Sequence, residues 1–196
     1  MNKEDLLKQI ADAAYNVGFG AKKHFATYDM VEKAPGIVAF LSMGLGIFGL
    51  VIDILSTKFL SATFLVLGIA VFYIERYNSN NGEYAKKGSV LTQLFNELKT
   101  LYFRVKSSNS DDLSSEEGEL KRILDSYYGI CIHKQILFSD WYAHYKFFWQ
   151  HQIDWIDEQK HFKLWRDKIP LSLTVFISIL LAGGVAAIVC ACWGVI

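Results

Sequence analysis

Three long stretches without a single charged residue constrain this chain more than any other feature. No Asp, Glu, Lys or Arg occurs from Ala34 to Ile52, from Phe59 to Ile74, or from Leu171 to Ile196. About 20 apolar residues in a helix cross some 30 Å of hydrocarbon, so the first and third runs are long enough to span a bilayer. The second is shorter. Lys58 and Arg76 at its ends can snorkel, and Tyr73 and Tyr77 can sit at an interface. A chain of 196 residues lacks the interior to bury three such runs. The expectation is an all-α integral membrane protein. The first two runs form a transmembrane hairpin (34–76), turning at Asp53 to Lys58, and the third is a C-terminal span (170–196).

Lysine and arginine then predict orientation. Five lysines precede the first run, Lys58 lies in the hairpin turn, fourteen basic residues lie from Arg76 to Lys168, and none follows the third run. The N-terminal segment (1–33) and the middle module (77–169) are expected in the cytoplasm, and the C-terminus outside. Lys+Arg and Asp+Glu are both 20, so no net field calls for nucleic acid. Three cysteines give no disulfide framework.

Leu6, Leu7, Ile10, Ala14 and Val17 recur at helical spacing and predict an amphipathic N-terminal helix, loosened at Gly18 and Gly20. Val90, Leu91, Leu94, Phe95, Leu98, Leu101, Tyr102 and Val105 mark a second amphipathic helix. After the polar loop 107–112, Ser114 and Glu117 have capping-box spacing. From there Leu120, Leu124, Tyr127, Cys131, Phe138, Tyr142, Tyr145, Trp149 and Ile156 fall on one face at 100° per residue. Asp140, His144, His151, Asp154, Glu158 and His161 fall on the other. Continuous to Ile169, this coiled-coil-like helix would be about 75 Å long; Gly118 and Gly129 are candidate interruptions. Its apolar face would need other helices or other subunits. Pro35 and Pro170, the only prolines, sit where apolar runs begin.

Gly44, Gly46 and Gly49 match the dinucleotide fingerprint GxGxxG, but they lie in an apolar run with no strand before them. Helix packing or bending accounts for them better, as for Gly183 and Gly184, with a pore-specific role as the alternative. Asp53 either caps the hairpin beside Lys58 or contributes an intramembrane carboxylate to a pore. Glu158-Gln159-Lys160-His161 matches one Glu-x-x-His element of di-iron bundles, whose pattern needs two copies and further glutamates. No metal, no cofactor and no catalytic residue is expected, and no enzyme.

Lys160, Lys163, Arg166 and Lys168 cluster before the third run, with Trp165 among them. A lipid-headgroup belt explains this cluster first. The sharper alternative is an anionic-ligand site, in which cations meet phosphate and a ring stacks a base, with Lys22, Lys23 and His24 contributing from the N-terminal helix.

The segment AYNVGFGAKKHFATYD followed by PGIVAFLSMGLGIFG resembles the SLATT family of two-transmembrane effectors, and HQIDWIDEQKHFKLWRDKIP resembles a branch with an additional C-terminal span. The resemblance implies a homo-oligomeric effector, with a tetramer as one arrangement, in the bacterial inner membrane. It implies a pore that acts during phage infection and answers a nucleotide or oligonucleotide signal from a partner nucleotidyltransferase. A non-conducting membrane scaffold that docks a partner protein is the competing reading.

Overall fold

The computed structural model describes residues 2–52, 58–110, 112–130 and 132–192. It is 83 % helical, and no strand occurs among the described residues. Helix α1 (Lys3–Gly49) runs 47 residues without a break, about 70 Å at 1.5 Å per residue. Asn2 caps it by accepting the Asp5 N–H at 2.8 Å, and Glu4 and Asp5 complement the positive end of the helix.

Burial divides α1 in two. Leu6, Ile10, Ala14, Val17 and Ala21 are at most 2 % exposed, whereas Ile37, Phe40 and Phe48 are 57, 70 and 60 % exposed. The change comes at Pro35, which lies inside the helix and withholds the N–H that would bond to the Val31 carbonyl. Gly18 and Gly20 do not interrupt the helix. Gly18 instead permits close approach, since a Cβ there would lie 2.7 Å from Cδ2 of Phe95.

Helix α2 (Lys58–Glu75) leads through a 3-10 turn (Asn78–Asn80) into α3 (Asn81–Ser107). α3 lies antiparallel to the first half of α1. At one end Lys3 Nζ donates to the Ser108 carbonyl (2.6 Å), and at the other Asn81 donates to Glu32 (3.0 Å). Of the eight positions expected to form the apolar face of α3, only Val90 is exposed. α4 (Ser114–Tyr128) begins at the expected residue, but Asp112 supplies the acceptor, taking both the N–H and the hydroxyl of Ser114.

The single long third helix is replaced by three shorter ones: α4, α5 (Ser139–Phe148) and α6 (Asp154–Lys160), followed by a π-helical turn (Leu164–Lys168). Gly118 lies within α4, while Gly129 ends it. Non-helical chain at 129–130 and 132–138 resets the rotational phase, so the face drawn through the whole stretch does not survive. Leu120 and Ile156 are buried, but on α5 it is Ala143 and Phe147 that are buried, while Tyr145 and Trp149 are exposed. His144 and His151, expected on the polar face, pack as half-buried rings against Phe19 and Phe95. Cys131 lies outside the described residues.

Helix α7 (Leu171–Cys192) is exposed along most of its length. It meets the bundle near its start, where Trp141 Nε1 donates to Ser172 (2.9 Å) and Phe176 packs on Trp141 and Phe138. Three helices are thus long and apolar enough to cross a membrane, and each leaves its apolar surface bare. Bare apolar surface of this extent fits a protein whose solvent there is lipid.

Candidate ligand cleft

The residues that follow α4 form a strap, 132–137, laid across α1 and α3 where the bundle gives way to the spans. Extended chain has no internal hydrogen bonds, so side chains of the neighbouring helices supply them. His24, only 2 % exposed, accepts the Ile132 N–H at Nε2 (3.1 Å) and donates from Nδ1 to the Gly20 carbonyl (2.8 Å). Because Ile132 can only donate, the imidazole is neutral with its proton on Nδ1. Burial, followed by smaller effects of Lys87 and Lys23, holds His24 below the ordinary histidine range against the opposing Gly20 bond. Thr27 donates to Gln135 (2.5 Å), and Tyr84 to the Lys134 carbonyl (2.6 Å). The Tyr73 hydroxyl, near the end of α2, accepts the Leu137 N–H (3.2 Å).

Between this strap, α1 and the end of α4 opens a cavity of about 280 Å³. Tyr15, Phe19 and Tyr127 contribute rings, Lys23 and His133 cationic or titratable groups, and Asn16 and Gln135 amides. Gly20, with no side chain, also lines it. Among the residues lining it there is no carboxylate. Lys23 pairs with Asp140 at 2.7 Å, the two side chains being 32 and 56 % exposed. A tighter cluster also joins α1 to α5. Asp29 binds both Lys146 and Lys33, and burial together with Lys146 lowers the affinity of Lys22 for its proton.

The predicted basic residues do not converge on one site. Lys160 meets α1 at Asp12 (2.7 Å), about 35 Å of helix below Pro35, and lies over the Tyr15 ring. Arg166 pairs with Asp167, and Lys168 with Asp157 at 3.9 Å. Lys163 is exposed, as is Trp165 at 79 %. Only Lys23 and His24 border the cleft, and both nitrogens of His24 are occupied by backbone. Glu158 binds Tyr102 and Lys106, and no group of His, Cys, Asp and Glu able to hold a metal occurs among the described residues. A Cβ added at Gly44, Gly46, Gly183 or Gly184 would meet nothing within 4 Å, so these glycines serve no contact within the described chain. Gly49 ends α1, and Asp53 lies outside the described residues.

A family model, SMODS and SLOG-associating 2TM effector domain 6, matches residues 1–177. The chain belongs to the SLATT family. SLATT is a two-transmembrane effector domain associated with defence systems, and the match takes in the hairpin, the strap and the cleft. It stops seven residues into α7, so most of this third apolar helix lies beyond the matched SLATT domain. No curated protein and no solved structure matches the chain.

Sequence reasoning overlooked Tyr15, Phe19, Tyr127, His133 and Gln135. Tyr15 and Phe19 stand one helical turn apart beside Lys23, a ring–ring–cation ladder that was legible. Tyr127, His133 and Gln135 reach the cleft only because the chain leaves its helix after Gly129, which periodicity does not signal.

Proposed function

We propose that this SLATT protein is a membrane effector of a bacterial anti-phage defence system. Copies assemble in the inner membrane and open an ion-conducting pore in answer to a nucleotide or oligonucleotide signal made by a partner nucleotidyltransferase. The N-terminus and the helical bundle face the cytoplasm, and the C-terminus faces outward, as the lysine and arginine distribution favours.

The observation that carries this reading is the unbroken course of α1. One helix contributes to the core from Leu6 to Val31 and is bare apolar surface beyond Pro35, so a shift of the bundle against α1 is a shift of the first span. Pore opening then amounts to a change between two packings of the bundle, biased by whichever ligand prefers one of them. Asp53 and the glycines of the spans are the residues proposed to act in the pore. The exposed Tyr145 on α5 and Trp149 just after it favour a second reading, a non-conducting scaffold that docks a partner protein there.

Reconstitution of the full chain into liposomes loaded with potassium separates the two. The pore reading expects oligomers by native mass measurement and potassium efflux. Monomers without efflux would overturn it, and oligomers without efflux that retain a copurifying protein would establish the scaffold.

A further inference from the structure

The cleft beside the strap has a chemistry that the bundle's stability does not require. Core cavities are lined by aliphatic groups and stay closed, whereas this one is open and presents rings, amides and cationic groups with no carboxylate among its lining residues. Lys23, one of its lining residues, is held by Asp140 in a partly exposed pair. Pairs of this kind are weak and give way to a better anion. His133, also lining it, is exposed on the strap. Gly20 adds no side chain to the cleft: a Cβ there would make only ordinary contact, 3.6 Å from Tyr127. The rings favour a planar aromatic group, and Lys23 with His133 favours a phosphate.

We propose that this cleft binds a nucleoside phosphate, the base against Tyr15, Phe19 and Tyr127 and the phosphate on Lys23 and His133. The inference rests on the reading of the protein as a nucleotide-answering effector, and it names the site and the ligand class. Occupancy also has a route to the spans. His133 and Gln135 belong to the strap, whose Leu137 is bonded to Tyr73 near the end of α2 and whose next residue, Phe138, packs on Phe176 of α7. A ligand that shifts the strap therefore acts on two apolar helices together.

Equilibrium binding of radiolabelled ATP to the full chain in detergent micelles tests the site, with adenosine and inorganic tripolyphosphate as competitors. Saturable ATP binding is expected, with each competitor at least about tenfold weaker, the scale of one stacked base or one charged contact. Lys23→Ala and Gly20→Leu, the second adding a side chain to the cleft lining, each weaken ATP by about tenfold or more, while Lys8→Ala, on exposed surface elsewhere on α1, leaves it unchanged. Circular dichroism establishes that the variants are folded, and Lys23→Ala decides alone should Gly20→Leu fail to fold. Absence of saturable ATP binding, tripolyphosphate binding as tightly as ATP, or binding indifferent to Lys23→Ala would each overturn the proposal. ATP binding without potassium efflux removes the pore and keeps the cleft; efflux without ATP binding does the reverse.

Discussion

Acidification from pH 7 to pH 5 weakens the helical bundle through His151. This ring packs at a tilt on Phe95, with centroids 4.7 Å apart, and edge-on to Phe147, and its Nδ1 is buried without a hydrogen-bond partner. Burial, then the charges of Lys22 and Lys99, push its pKa down from 6.5 to about 4. A depressed histidine pKa means that the unfolded chain binds the proton first. Stability is therefore full above pH 6.5 and drains away as pH falls toward 4. At pH 5 the unfolded side is about 1.5 pH units below its own pKa, worth about 2 kcal/mol. Residual solvent at the half-buried ring trims this to about 1–2 kcal/mol. For a chain of this size the unfolding midpoint falls by about 2–8 °C. The assay is thermal unfolding of the detergent-solubilised protein, followed by tryptophan fluorescence, since the buried Trp155 packs on the same Phe95 ring. His24 and His144 are also depressed, chiefly by burial, so the decisive quantity is the difference between the wild type and His151→Leu. The carboxylates of Glu158 and Asp167, held low by their hydrogen bonds, lose their contributions only at more acidic pH. The variant should lose about 1–2 kcal/mol less than the wild type between pH 7 and 5. An equal loss in both would refute the argument from burial.

Gly18→Ala places a methyl 2.7 Å from Phe95; the overlap outweighs the helix-propensity gain of about 1 kcal/mol and lowers stability by about 1–2 kcal/mol in urea unfolding. Lys146→Met strips one partner from Asp29, whose side chain is 14 % exposed, and costs about 2–3 kcal/mol even with Lys33 in place; adding Asp29→Leu should recover most of that in the same assay. Tyr84→Phe removes the bond to the Lys134 carbonyl, costs about 1 kcal/mol, and should speed trypsin cleavage after Lys134 relative to other sites.

The apolar spans were legible because transfer from water to hydrocarbon is set by local composition. Runs such as 36–49 and 171–190 need no tertiary partner to declare themselves. The pairing faces of α1 and α3 were legible for a related reason: each is one uninterrupted helix, so a 3.6-residue period stays in phase over its whole length. That condition fails between Gly129 and Phe138. There, from Ile132 to Leu137, the chain is a strap whose hydrogen bonds come from His24, Thr27, Tyr73 and Tyr84, residues 50 or more positions away in sequence. Phe138 begins α5 from a left-handed backbone angle (φ 67°), which no periodicity foretells.

Composition and spacing alone thus marked the apolar spans, and which faces of the first and third helices would be buried. Only the tertiary structure decided that Lys160 pairs with Asp12 rather than with Lys23's neighbours, that His24 is a structural staple, and that Tyr127 and His133 share a cleft with Lys23. Solvent preference is a property each segment carries by itself. The meeting of side chains from distant segments exists only once the backbone between them has taken its turn.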